Sequence, residues 1–367
     1  MRILHINRNY LGTTLHQIMI EHLDKLNLEN SVFVPVCNTN SAVIKPNNNV
    51  CVSYCFNYID RYIFDLKQFK IIRSIEKIFD VNSFDCIHAY TLFTDGNAAM
   101  KLAKKYNKPF IVAIRNTDVN DFFAKLFYLR GRGIKIMRAA KKIFFLSEAY
   151  RSQVFEKYVP QKYYNELYAK TMVIPNGIDD FWFANPPIEK KKNENPVNLI
   201  YAGKIDKNKN IPTIQKAMEL LKAKGIDLKL TLIGKIIDQD EFDKVKNNPN
   251  ITYRPAMPKE LLIEQYRMHD IFVMPSFTET FGLVYAEALS QGLPIVYSKG
   301  QGFDGQFEDG FVGYHCNAYN ADDVALAIEN VIKKIGSMRK YCVDASLKFK
   351  WNEICEKYMN VYESIMC

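Results

Sequence analysis

None of the eight cysteines, at positions 37, 51, 55, 86, 316, 342, 355 and 367, belongs to a C-x-x-C pair, and most lie in apolar segments such as Phe84-Asp85-Cys86-Ile87-His88. This spacing excludes the common zinc and dithiol-redox motifs and predicts buried thiols in a reducing compartment. No stretch reaches the ~20 uncharged apolar residues of a membrane span. The opening Met1-Arg2-Ile3-Leu4-His5-Ile6 has neither the length nor the cleavage site of a signal peptide, so a cytoplasmic location is expected. Internal repeats with a period of about 20 to 50 residues are missing, as are low-complexity tracts.

What is present is a chain of 367 residues, 48% of them apolar. That exceeds what one hydrophobic core usually serves, and two domains of roughly 150 to 200 residues are expected. The formal charge of +9 is unevenly spread: residues 101–160 hold fourteen Lys or Arg against four Asp or Glu, enough to account for the whole excess. An anionic partner is expected at that surface. No nucleic-acid-binding module is recognisable, so nucleic acid is not the expected partner.

β-rich runs alternate with helix-length amphipathic segments, the pattern of parallel sheets built from βαβ units. Strands are expected at 2–7, 32–37, 85–89, 110–114, 142–146 and 172–174. The turn Pro175-Asn176-Gly177 and the polar stretch 185–195 (NPPIEKKKNEN) then read as a domain connection. A second alternation places strands at 197–201, 228–233, 250–253, 271–274 and 294–297. Its helices start at Ile211, lie near Glu241, cover 259–268 and 283–290, and end with 321–334 and 351–365. The expected fold class is α/β: two Rossmann-like domains, 1–183 and 184–349, facing across a cleft.

The chemistry concentrates in 270–288. A buried strand stops at Pro275, a small-residue loop follows, and a helix begins near Gly282, leaving Glu279 in the loop and Glu287 in the helix. Backbone N–H groups at such a helix start favour phosphate oxygens or sugar hydroxyls. A carboxylate suits a vicinal diol, because its two oxygens accept two O–H bonds at once. The bland alternative is a helix-start acid at Glu279 and a solvated Glu287. Upstream, Tyr201-Ala202-Gly203-Lys204-Ile205-Asp206-Lys207-Asn208-Lys209-Asn210 follows a strand. Lys204 and Lys209 are spaced to grip a diphosphate without a metal; a lysine-rich surface turn is the plain alternative. Asp238-Gln239-Asp240 has the D-x-D form of a metal site, yet its place before Glu241 and Phe242 reads as a helix cap.

The Glu279-to-Glu287 stretch resembles the E-x7-E signature of glycosyltransferase family 4, the retaining enzymes of the GT-B fold, and the likeness covers almost the whole chain. The resemblance implies that Glu279 contacts the donor sugar and Glu287 the ribose diol, with the backbone of Thr280, Phe281, Gly282 and Leu283 approaching sugar and phosphate. It implies that Gly203, Lys204 and Lys209 hold the diphosphate, although the family has Arg where Lys204 stands and Gly where Asn210 stands. A lysine there loses the bidentate fork. The family's glycine pair after the first strand corresponds to Gly12 and Thr13, with only one glycine kept. Relatives carry a histidine where this chain has Arg115 and Asn116. Either of these is expected to bond a donor hydroxyl while Asp118 orients the acceptor or the arginine; a helix cap at Thr117 or Asp118 is the alternative. His88, also at a strand end, reads as a structural histidine. Relatives have a Gly-Gly turn near the donor where the loop Lys299-Gly300-Gln301-Gly302-Phe303-Asp304-Gly305-Gln306 stands. The C-terminal helix 350–367 is expected to return to the first domain.

The implied reaction moves a sugar, UDP-linked by family precedent, to a hydroxyl of a saccharide acceptor with net retention. Neither cofactor nor metal is expected. Residues 122–142 (FFAKLFYLRGRGIKIMRAAKK) mix cations with large apolar residues and suit the surface of an anionic membrane. A transferase acting there on a polyprenyl-diphosphate-linked acceptor in bacterial capsule or O-antigen synthesis would use such a surface. A core-packed helix with a solvated face is the competing reading. A nucleotide-sugar epimerase and a non-catalytic transferase-like subunit are the rival functions.

Overall fold

The computed structural model describes residues 1–12, 14–37, 43–47, 49–188 and 196–366. Thr13 and part of the expected connection, 189–195, lie outside the described residues.

The first unit comprises Met1–Leu146, Tyr150–Asn176 and Trp351–Cys367. In chain order its elements are β1 (Arg2–Ile6), α1 (Leu15–Asp24), β2 (Glu29–Cys37), β3 (Val43–Asn47), β4 (Val50–Phe56), α2 (Phe64–Ile78), β5 (Cys86–Ala89), α3 (Thr94–Tyr106), β6 (Phe110–Ile114), α4 (Arg130–Ala139), β7 (Lys142–Phe145), α5 (Glu148–Lys157), α6 (Tyr164–Tyr168) and β8 (Thr171–Val173). The strands order as β3-β4-β2-β1-β5-β6-β7-β8, all parallel apart from the antiparallel edge pair β3–β4. The strands β1, β5 and β6 are buried at nearly every position, as strands covered on both faces must be. One face packs Ile71, Ile75, Leu102 and Ile136 from α2, α3 and α4; the other packs Met19 and Leu23 from α1 with Trp351, Ile354 and Tyr358.

The second unit comprises Ser147–Ala149 and Gly177–Lys350. It runs α7 (Phe181–Ala184), β9 (Val197–Ala202), α8 (Ile211–Ala223), β10 (Leu228–Ile233), α9 (Gln239–Asp243), β11 (Ile251–Arg254), α10 (Lys259–Met268), β12 (Ile271–Met274), α11 (Leu283–Ser290), β13 (Ile295–Ser298), β14 (Gly313–Cys316) and α12 (Ala321–Ser346). The sheet order β11-β10-β9-β12-β13-β14 is parallel throughout and reverses direction between β9 and β12. The last helix, α13 (Trp351–Met366), packs in the first unit. Its buried Trp351, Ile354, Cys355, Tyr358, Val361 and Tyr362 form one helical stripe, each large side chain contributing about 2 kcal/mol of burial.

Several expectations are corrected. Strands β3, β4 and β14 have no counterpart in the sequence reading: β3 and β4 flank an asparagine run that signals a turn, and β14 is only four residues with no apolar alternation. Helix α12 continues past 334 to Ser346, because Met338, Cys342 and Ala345 extend its buried stripe through Gly336-Ser337. Residues 122–142 are not one amphipathic helix with an outward apolar face. Phe123, Leu129, Ile134, Ile136 and Met137 are buried in the core, and only Phe127 and Tyr128 are large apolar side chains on the surface.

Candidate functional site

Ligands of open parallel sheets bind beyond the carboxyl ends of the strands where the strand order reverses. In the second unit that point lies between β9 and β12, and the loops following those two strands carry Gly203 to Asn210 and Pro275 to Gly282. Asn208 stitches them together. Its backbone oxygen accepts from the Phe277 N–H at 2.8 Å, its Oδ1 accepts from the Thr278 N–H at 3.0 Å and the Thr278 hydroxyl at 2.6 Å, and its Nδ2 donates to the Thr278 carbonyl at 2.9 Å. The consequence is a short path between Lys209 and Glu279, whose Nζ and Oε2 are 2.5 Å apart. The other oxygen, Oε1, accepts from the Thr280 N–H at 3.0 Å.

Asn210 stands where the resemblance leads one to expect glycine. It sits at φ 58°, in the left-handed region, just before α8, a conformation asparagine tolerates better than other non-glycine residues. Its Nδ2 also donates to the carbonyls of Pro275 and Ala318 at 3.1 and 2.6 Å. Asn210→Gly is expected to keep the turn and lose those bonds, whereas Asn210→Ala loses the bonds and adds strain, about 3 kcal/mol in all. Urea denaturation should therefore rank wild type above Asn210→Gly above Asn210→Ala.

Behind Glu279 the glycine-rich loop acts as a buttress. The Gln301 side chain accepts from the Glu279 N–H at 3.0 Å, and the Gly302 N–H donates to the Glu279 carbonyl at 3.1 Å. A Cβ on Gly302 would lie 1.9 Å from the Thr280 oxygen, so only glycine permits this approach. Gly282, at φ 76°, precedes α11, and a Cβ there would lie 2.4 Å from the Tyr285 ring. The N–H groups of Leu283 and Val284 open the helix, where no intrahelical acceptor exists. The Phe281 side chain packs inward against Phe303 and Phe349, leaving its backbone as the part that lines the loop.

Glu287 lies partly buried on α11. Burial, and behind it the Asp179 carboxylate, push its carboxyl up to about 7 against the opposing pull of Lys259. Asp179 and Lys259 are themselves paired at 2.5 Å. Lys204 is exposed, with no ion pair among the described residues. Gly203 is pressed by Gly234, where a Cβ would lie 1.7 Å from the Gly203 oxygen. Asp238 caps α9, its Oδ1 accepting from the N–H groups of Asp240 and Glu241 at 3.1 and 3.3 Å.

The remaining sequence candidates lie in the first unit. Gly12 ends a short turn and meets nothing within 4 Å of a built Cβ, so its approach to a ligand is not demanded by packing. Arg115 is buried, its Nε donating to the Tyr90 carbonyl at 3.0 Å and one terminal nitrogen to Asn176 Oδ1 at 3.3 Å. Asn116 accepts from the Asn120 side chain at 3.0 Å. Asp118 meets the arginine through its backbone, with no ion pair to the guanidinium among the described residues. It accepts from the backbone N–H groups of Leu92, Phe93 and Arg115 at 3.0, 3.2 and 3.0 Å, tying two strand-end loops together. Burial raises its carboxyl to about 6 against those three bonds. His88 is buried, bonds the Tyr362 hydroxyl at 2.7 Å and stacks on Tyr90 at 4.4 Å; burial holds it neutral. The sequence reading passed over His16, which lies edge-on to Tyr90 at 4.9 Å and is kept neutral by burial and then by Arg115. It also assigned nothing to Asn208; the only signal there was its place between two lysines.

The two Rossmann-like sheets define the GT-B fold. A lipopolysaccharide outer core galactosyltransferase in its apo form matches with TM-score 0.72 and 15% identity over 99% of each chain. An E. coli trehalose-6-phosphate structure bound with UDP-2-fluoro glucose matches with TM-score 0.72 and 14% identity, also over 99% of each. Residues 185–349, which cover most of the second unit, match the family Glycosyl transferases group 1. The chain is 30% identical over 180 residues to a D-inositol 3-phosphate glycosyltransferase of Pseudarthrobacter chlorophenolicus, spanning 46% of this chain and 43% of that protein. The match therefore covers less than half the length of that relative.

Proposed function

We propose that the protein is a retaining glycosyltransferase that moves a hexosyl group from a nucleoside-diphosphate donor, UDP-linked by preference, to a hydroxyl of a saccharide acceptor, without a metal. The acceptor is carried on a polyprenyl diphosphate, the setting is the inner face of a bacterial membrane, and the product is a surface polysaccharide such as capsule or O-antigen. One observation carries the reading. At the strand-order reversal of the second sheet, a lysine-bound Glu279 and a partly buried Glu287 flank a single helix start. The match of residues 185–349 to a glycosyltransferase family supports the same reading.

In this reading the diphosphate lies against Lys204, Lys209 and the N–H groups of Leu283 and Val284. Glu279 accepts from a sugar hydroxyl, and Glu287 from the ribose diol. Arrival of the phosphate lets the Lys209 ammonium be shared between Glu279 and the donor. The bond from the anomeric carbon to the phosphate oxygen then breaks while the acceptor oxygen bonds to that carbon on the same face. The acceptor proton passes to the departing phosphate, so no protein base is required. Negative charge grows on the leaving oxygen, where preorganised cations and N–H dipoles act most strongly. In the first unit, Asp118 is assigned to fixing the Arg115 backbone.

The test is product analysis by NMR after incubation with nucleotide sugars. A transferase yields nucleoside diphosphate and a glycoside with the donor's anomeric configuration, and only slow hydrolysis without acceptor. Conversion of the donor sugar to its epimer in the absence of acceptor would instead establish the epimerase.

A pH dependence follows from Glu287. Its folded-state value of about 7 lies above the ordinary 4.5, so ionising it costs stability, a cost absent below about 4.5 and complete above about 7. A diol needs the ionised form. Donor affinity is therefore expected to fall about tenfold from pH 8 to pH 6, and calorimetric titration of Glu287→Gln should show weaker binding without that slope.

A further inference from the structure

Four of the cations in residues 101–160 line one groove of the first unit. Helices α3 and α4 lie side by side, and between them runs a groove of about 310 Å³ lined by Lys104, Lys108, Lys135 and Lys141 over a floor that includes Met100 and Phe110. No acidic residue lines it. Lys108 donates to the Asn82 carbonyl at 2.8 Å; the other three lysines have no ion pair among the described residues.

At the other end of the same helices the surface turns apolar. Arg132, one turn before Lys135, bonds both oxygens of Asp65 at 2.5 and 3.0 Å and covers the Phe64 ring at 4.9 Å. This joins the start of α4 to the start of α2. Around that junction Phe127 and Tyr128 are 72% and 68% exposed, and Ile59, Tyr62 and Phe69 are 72%, 76% and 57% exposed. The two loops that hold most of these side chains follow the carboxyl ends of β4 and β6, the end of the sheet at which Arg115 and Asn116 lie.

A partner for this face must be anionic and apolar at once. A bilayer with anionic headgroups is both: aromatic rings settle at headgroup depth, and lysine stems lie along apolar surface while their ammonium groups meet phosphates. A nucleic acid or a free polyanion gives Phe127 and Ile59 nothing to enter. Protein interfaces are poor in lysine. We propose that the α2–α3–α4 face of the first unit docks on an anionic lipid bilayer, with the aromatics beside the Asp65–Arg132 junction inserted and the lysine groove holding lipid phosphates. The proposal rests on the lipid-linked-acceptor reading. It also relocates the contact, because the apolar side of α4 itself is spent on the core.

The experiment is co-flotation of the full chain with vesicles of phosphatidylcholine alone and of phosphatidylcholine with phosphatidylglycerol. Binding is expected only to the mixed vesicles and should weaken as added salt shortens the screening length. Lys104→Gln with Lys135→Gln should lower the partition coefficient ~25-fold, about fivefold for each lysine. Phe127→Ser with Tyr128→Ser should lower it at every salt concentration. Unchanged melting of each variant in solution shows that the fold is kept, and a donor-induced melting shift on the same samples reads the enzyme function separately. Donor binding without vesicle binding overturns the docking proposal alone, and vesicle binding without donor binding overturns the transferase reading alone. Equal binding to neutral vesicles, or variants that bind like wild type, would also overturn the proposal. So would a concentration-dependent dimer in sedimentation velocity that the aromatic variant abolishes, since a second copy would then cover the face.

Discussion

Glu279→Ala is expected to lower turnover by about two to three orders of magnitude, the scale on which a preorganised electrostatic contact acts in a transition state. Both oxygens of the carboxylate are already engaged, Oε2 by Lys209 at 2.5 Å and Oε1 by the Thr280 N–H at 3.0 Å. Removing it therefore deletes a contact to the sugar and also frees Lys209 to wander from the diphosphate. Donor dissociation should change less than turnover, since Lys204, the α11 start and Glu287 stay in place. Glu279→Gln, which keeps the shape and loses the charge, should fall between alanine and wild type. Steady-state release of nucleoside diphosphate measures both variants. Wild-type turnover in Glu279→Ala would remove this carboxylate from the mechanism, whereas no turnover by the wild type itself would favour the non-catalytic transferase-like subunit.

Gly302→Ala tests the buttress. The added methyl would lie 1.9 Å from the Thr280 oxygen and 2.9 Å from the Glu279 oxygen, so one of the two loops must move. Overpacking of this kind costs about 1 to 3 kcal/mol. A displacement of about 1 Å at a reacting group lowers rate ~100-fold, and that is the expected loss in turnover. Gly300→Ala is the control in the same loop. It meets nothing within 4 Å, although its φ of 74° adds local strain, and turnover near wild type is expected. Equal losses in the two variants, read by nucleotide release alongside thermal melting, would mean that the loop supports only the fold.

The strand, loop and helix start around Glu279 were legible because their signals are local. A strand stop at Pro275, a glycine at the helix start and a carboxylate on either side can be read from consecutive residues, and the boundaries of α10, β12 and α11 fall where the pattern puts them. The supporting contacts were not legible, because they join positions far apart in sequence. Asn208 clasps Thr278, Gln301 holds the Glu279 backbone, and Asn210 reaches Ala318; no periodicity announces such pairs. Asp118 shows the opposite limit. Its position at a strand end suggests chemistry, and only the structure shows that three backbone N–H groups from two loops converge on it. Residues 122–142 show a third, because an amphipathic pattern states that one face is apolar without stating whether a core or a membrane covers it.

The central claim is that the second unit binds a nucleotide sugar at the Glu279–Glu287 crevice. The most direct measurement is the melting temperature of the full chain, and of its Glu279→Ala and Glu287→Gln variants, across a panel of nucleotide sugars. A ligand at about 100 times its dissociation constant stabilises by about 2.7 kcal/mol. The account predicts a clear upward shift of the wild-type melt for at least one nucleotide sugar, reduced in both variants. No shift with any of them, or an undiminished shift when both carboxylates are replaced, would contradict it.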